Sequence, residues 1–155
     1  MVMNKIHVYF MPGLAASSKI FERIQLPTAT FEIHLLDWKI PHKNETLVAY
    51  AKRMAEEVTH DQAVLVGVSF GGVLVQEMTA FLSLRKLIII SSVKTNLEIP
   101  VTMKIFKSTK AYKLVPTTLL QNIEVLNKFS FSSVIQQRLK LYEKYMSMRN
   151  KTYLE

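Results

Sequence analysis

With 155 residues, 49% of them apolar, the chain can build one domain with a sizeable core and is too short for two. The absence of cysteine excludes disulfides and thiolate metal sites. No apolar run has the length of a bilayer span or the layout of a signal peptide, which predicts a soluble, cytoplasmic protein. The net charge of +8 is concentrated at one end: residues 1–100 carry ten Lys/Arg against nine Asp/Glu, whereas 101–155 carry ten against three.

Lys5–Phe10 reads as a buried strand, and Met11–Ser18 as the loop that leaves it. A helix is expected next, capped by Ser17 or Ser18, with Ile20, Phe21 and Ile24 on its buried face and Pro27 beyond its end. Phe31–Leu36 is the second strand, closed by Asp37–Pro41. A helix follows over about Glu45–Val58, with Asn44 as cap. Leu47, Tyr50, Ala51, Met54 and Val58 fall at helical spacing, which marks a core-packing stripe. An apolar β-type run then leads from Gln62 to Val68, a helix-compatible run covers Val73–Leu82, and Lys86–Ser92 supplies a fourth strand.

After Pro100 no β-type run recurs. Val101–Lys113, Thr117–Asn127 and a segment from Ser132 or Ser133 to about Arg149 read as helices, the last with Ile135, Leu139, Tyr142 and Met146 on one face. Lys104, Lys107, Lys110 and Lys113 recur every third residue, which reads first as a solvated helix face, with contact to an anionic substrate, a lipid headgroup or nucleic acid as the alternative. A basic nucleic-acid binder is the weaker expectation. Four strands alternating with helices give an α/β fold: a parallel sheet with helices on both faces, residues 1–100 as its core and 101–155 as a helical extension of the same domain. In such a sheet the ligand sits at the carboxyl ends of the strands, where the loops around Gly13 and Ser69 can converge.

The chemistry concentrates at Gly67-Val68-Ser69-Phe70-Gly71-Gly72. Gly-x-Ser-x-Gly between a strand and a helix is the pattern of a nucleophile elbow, in which the serine is lifted clear of the sheet on a strained turn. A side chain at Gly67 or Gly71 would collide where strand and helix approach each other. The chain has four glycines, and three of them, Gly67, Gly71 and Gly72, lie here. A phosphate-binding turn would need Gly-Lys-Ser/Thr or Gly-x-Gly-x-x-Gly, and neither is present.

These residues, with Tyr9-Phe10-Met11-Pro12-Gly13-Leu14 and the order of elements, resemble the α/β-hydrolase superfamily over residues 4 to about 95. The helical 101–155 looks like the lid such enzymes insert after the strand that follows the elbow. The resemblance implies Ser69 as nucleophile, Pro12 and Gly13 in the oxyanion loop, the backbone N–H groups of Phe70 and Leu14 as oxyanion donors, and a small-molecule acyl substrate with no cofactor.

The chain departs from the pattern in its histidines. The family's triad runs Ser, acid, His, yet the histidines stand at positions 7, 34, 42 and 60, all before Ser69. His60 and Asp61 precede the elbow strand at its amino end, and His34 lies within a strand. His42 leaves the correct edge of the second strand. Glu98 follows the fourth strand, where some members of the family place their acid. No His/Asp/Glu set has the sequence spacing of metal ligands.

The expectation is an incomplete serine hydrolase of ester or thioester bonds, cut short before its acid and histidine. The alternative is a non-catalytic remnant of the fold that binds a partner. In either case Leu87, Ile88, Ile89 and Ile90 would border an open sheet edge able to self-associate.

Overall fold

The alternation of buried apolar runs with amphipathic segments produces a parallel sheet. A computed structural model describes residues 4–14 and 16–98. Its strands are β1 (Ile6–Met11), β2 (Phe31–Leu35), β3 (Ala63–Val68) and β4 (Leu84–Ile90), and its helices are α1 (Leu47–Ala55) and α2 (Phe70–Met78). The sheet order is β2-β1-β3-β4, with every neighbouring pair parallel. From β1 the chain moves outward to β2, then returns to place β3 on the other side of β1. The loops leaving β1 and β3 therefore diverge around a crevice at the carboxyl edge, the usual position for a ligand in an open α/β sheet.

Period-two alternation divides the sheet into two apolar faces. Tyr9, Met11, Ala63 and Leu65 pack with Ala51, Met54, Leu74, Val75 and Met78 beneath α1 and α2. Val8, Phe10, Val64 and Val66 pack on the opposite face with Phe21. Burial of a Leu, Val or Met side chain of this kind stabilises by roughly 1.5–3 kcal/mol. The α1–α2 face thus forms the larger part of the described core.

Local chemistry moves several expected boundaries. The segment after β1 forms a single 3-10 turn, Ser18–Phe21, rather than a longer helix. Ser17 caps it through a hydrogen bond accepted from the Lys19 amide, and Ile24, expected to be buried, is exposed. The cap of α1 is Thr46 and not Asn44, because the Thr46 hydroxyl accepts from the Ala49 amide at 3.2 Å. Asn44 instead turns the chain at φ 61°. The helix ends at Ala55, three residues short of the expected Val58, whose side chain still joins the core. Strand β4 begins and ends two residues earlier than the pattern indicates. The helices expected after Pro100, and the Lys104–Lys113 stripe, lie outside the described residues. Among the described residues no helix is long and apolar enough to cross a membrane.

Candidate active site

At the end of β3 the backbone must turn directly into α2. Ser69 makes that turn with φ 53° and ψ −124°, a conformation L-residues seldom adopt. Two hydrogen bonds hold it there: the Ser69 amide donates to the Ile90 carbonyl at 2.9 Å, and the Gly72 amide donates to the Ser69 carbonyl at 2.9 Å. The side chain is exposed and caps no helix amide, so the hydroxyl is available to a ligand.

The packing around this turn leaves no room for side chains. A Cβ on Gly67 would stand 2.5 Å from the Gly71 carbonyl oxygen and from Val75 Cγ2, and one on Gly71 would stand 2.2 Å from the Pro12 carbonyl oxygen. Helix α2 therefore rests directly on the backbone of the loop leaving β1. At Gly72 the obstacle is Ser92, whose Oγ would lie 2.4 Å from an added Cβ.

Gly13 passes close beside Ser69. A Cβ on Gly13 would be 3.4 Å from Ser69 Cβ and 3.9 Å from its Oγ. Trp38 fixes this loop, its indole Nε1–H donating to the Gly13 carbonyl at 2.7 Å, and the Ala16 amide donates to the same oxygen at 3.0 Å. Asp37 holds the next turn by accepting from the amide and the hydroxyl of Ser18 at 2.9 and 3.1 Å. The Leu14 amide finds no backbone acceptor among the described residues, and Phe70, as the first residue of α2, has no intrahelical acceptor for its own.

Beside these amides lies a cavity of about 220 Å³ lined by Leu14, Trp38, Pro41, Leu47, Tyr50 and Phe70, with Glu45 at its wall. The Trp38 ring stacks on Phe70 and Tyr50, with centroids 5.8 and 6.0 Å apart. Leu47 and Tyr50, expected as core packing, thus also face the cleft. Tyr50 joins α1 to the loop after β2: its hydroxyl donates to the Lys39 carbonyl at 2.8 Å and accepts from the Lys39 amide at 2.9 Å. Burial raises its pKa above the usual phenol value.

Glu45, read from sequence only as the start of a helix, is the carboxylate that lines this cavity, but it is already engaged. Arg53 grips it with two hydrogen bonds, Nε to Oε1 at 2.9 Å and the terminal guanidinium nitrogen to Oε2 at 2.7 Å, and the His42 amide donates to Oε2 at 2.8 Å. The guanidinium bonds, aided by the His42 amide and the positive charge of Arg53, hold the Glu45 pKa down to about 2. A carboxylate so weakly basic cannot take a proton from a serine near neutral pH. Glu45 instead stabilises the fold. Its folded pKa lies below its unfolded one, so this contribution is complete above about pH 4.5 and is lost as the pH falls toward 2. Glu45→Gln is therefore expected to flatten the acid limb of the stability profile between those values, measured by urea unfolding, and Arg53→Met, which removes the main cause of the low pKa, to flatten it likewise. An unchanged acid limb would contradict this.

The other sequence candidates make no hydrogen bond to the Ser69 side chain among the described residues. Glu98 accepts from the Lys94 amide at 2.8 Å and closes its own loop. His42 is exposed, and no histidine ring hydrogen-bonds to Ser69 among the described residues. His60 and Asp61 stand at the amino edge of the sheet, where His60 meets His7 and His34. That gathering is absent from any reading of sequence spacing. Its one available signal was parity: β1 and β2 pair with His7 opposite Glu32 and Tyr9 opposite His34, which puts both histidines on the same face of adjacent strands. Burial, reinforced by His60 and His7 and opposed by Glu32, lowers the His34 pKa.

No family model matches the chain, and no curated protein matches it. Solved structures do. BpoC of Mycobacterium tuberculosis H37Rv, assigned as a non-heme bromoperoxidase, superposes with a TM-score of 0.64 at 16% identity, over 99% of this chain and 68% of its own. Est816, an enzyme that degrades N-acyl homoserine lactones, superposes with a TM-score of 0.57 at 14% identity, over 91% of this chain and 59% of its own. Both are α/β-hydrolase-type enzymes, and with the parallel β2-β1-β3-β4 sheet they show that this chain has an α/β-hydrolase-type fold.

Proposed function

We propose that the chain carries the nucleophile and oxyanion half of a serine acyl-hydrolase site, acting on esters or related acyl bonds. The observation that carries this reading is Ser69 at φ 53°, exposed, close beside Gly13. Backbone strain of this kind costs on the order of 1–3 kcal/mol and persists where the surrounding packing imposes it. Ser69 Oγ attacks the acyl carbonyl carbon, the amides of Leu14 and Phe70 receive the developing oxyanion, the leaving group departs, and water releases the acyl group. The small, mostly apolar cavity beside Phe70 suits a short acyl or aryl group. A lactone carbonyl, the bond type suggested by the activity of Est816, has the same electrophilic carbon.

The proton of Ser69 must pass to a base, and no histidine follows Ser69 in the sequence. A hydroxyl without a base is a poor nucleophile at neutral pH. The chain is therefore expected to hydrolyse p-nitrophenyl butyrate no faster than its Ser69→Ala variant, while an alkyl fluorophosphonate forms one slow adduct, on Ser69, detected by mass spectrometry. A large loss of turnover in Ser69→Ala that is shared by His42→Ala would identify His42 as the base.

The absence of any histidine after Ser69 favours a second reading, a non-catalytic binding module. Its docking element would be β4, an edge strand of the described sheet on which Ile88 and Ile90 are exposed. An adduct on other serines, or none at all, would support it.

A further inference from the structure

The amino edge of the sheet carries a group of side chains that the acyl chemistry does not use. One ring nitrogen from each of His7, His34 and His60 lies within 4.8 Å of the others. We propose that these three histidines form a binding site for a divalent transition metal ion of the zinc class, with Glu32 as a fourth ligand.

The geometry is close to what such an ion requires. His7 Nδ1 and His34 Nε2 are 2.9 Å apart. Two nitrogens on a tetrahedral zinc, each at about 2.0–2.1 Å, are separated by about 3.3 Å. An ion can thus replace the shared proton with a small opening of the pair. The His60 ring stacks on His7 with centroids 3.5 Å apart and planes 10° from parallel, and its centroid lies 4.9 Å from that of His34, which keeps a nitrogen of His60 within reach of the same ion. Glu32 Oε1 lies 4.0 Å from His34 Nε2, near enough to complete an oxygen- and nitrogen-rich set of four. Imidazoles with a carboxylate favour zinc, cobalt, nickel and copper over calcium or magnesium.

Two further features belong to metal sites. The Tyr9 hydroxyl lies 2.6 Å from His60 Nδ1, and Thr59 Oγ1 is 3.3 Å from the Tyr9 hydroxyl. A partner on Nδ1 fixes the tautomer and leaves Nε2 free to ligate. A surface cavity of about 480 Å³ borders His7 and His60 and gives an ion access from solvent.

The ligands come from β1, β2 and the turn before β3, so a bound ion would join three segments distant in sequence. The site stands at the opposite end of β1 from Pro12, roughly 15 Å away at 3.3 Å per residue. It is therefore independent of Ser69 and of the proposed acyl chemistry.

The test uses the full chain without a histidine tag. Titration with Co²⁺, followed by visible d–d absorption, and with Zn²⁺, followed by calorimetry, is expected to give one ion per chain with Kd below about 10 µM. At an ion concentration 100 times Kd, the thermal midpoint should rise by several degrees. His34→Gln should weaken binding at least tenfold, His7→Gln/His60→Gln should abolish it, and His42→Gln should leave it unchanged. In the wild-type chain, where folding is not in question, Zn²⁺ should shift the imidazole proton signals of three histidines and leave the fourth in place. No stoichiometric uptake below 100 µM, binding lost in His42→Gln, or binding kept in His7→Gln/His60→Gln would overturn the proposal and leave a hydrogen-bonded imidazole stack.

Discussion

Gly71→Ala is expected to lower the stability of the chain by at least about 3 kcal/mol, and in urea to leave little cooperative transition at all. The added methyl would meet the Pro12 carbonyl oxygen at 2.2 Å and the Met11 carbonyl oxygen at 2.7 Å. Both are backbone atoms at the end of β1 and the start of its loop, so neither can turn aside as a flexible side chain would. Relief requires α2 to back away from the sheet, which opens the packing of Leu74, Val75 and Met78. Gly13→Ala is the control. Its methyl would meet nothing nearer than 3.4 Å, and it should cost less than about 1 kcal/mol. Equal midpoints for the two variants in urea would show that the approach of α2 to the β1 loop is not as close as described.

Trp38→Ala is expected to cost roughly 3–5 kcal/mol, since it removes a buried ring from between Tyr50 and Phe70. The more informative variant is Trp38→Phe, which keeps an aromatic ring and loses the Nε1–H bond to the Gly13 carbonyl. The Ala16 amide still serves that oxygen, so the loss of stability should stay near 1 kcal/mol. Reactivity should suffer more. A shift of about 1 Å in a group that positions the reacting atoms can cost about a hundredfold. Trp38→Phe is therefore expected to slow fluorophosphonate addition to Ser69 by tenfold or more while the urea midpoint falls by no more than about 1 M. An unchanged rate would mean that Trp38 does not hold the Gly13 loop in register with Ser69.

The parts of this molecule that were legible in the sequence are those specified locally. Strand β3 and the turn after it could be read because Gly67, Ser69 and Gly71 have fixed spacing and a steric reason for it. The stripe Tyr50, Ala51, Met54 and Val58 marked α1 because periodicity is a property of neighbours. The cap was missed because Asn44 and Thr46 are both good caps, and the choice depends on Glu45 turning back to Arg53 and to the His42 amide. The anchoring of Gly13 by Trp38 and the meeting of three histidines depend on strand order and register. Both join residues that nothing in the local pattern relates.

The sheet order has a consequence for how the molecule comes together. The central pairing joins β1 to β3, with Met11 opposite Gly67, and β2 and α1 lie between them in the chain. That contact closes a long loop, whose entropy must be met before the pairing returns anything. Until it closes, neither the Pro12 carbonyl nor the Gly13 loop lies against the elbow, and nothing compels Ser69 to leave the ordinary regions of backbone space. The unusual conformation of Ser69 is therefore acquired late, as a result of long-range assembly. Substitutions that weaken the β1–β3 pairing should first release the serine and only afterwards dissolve the strands.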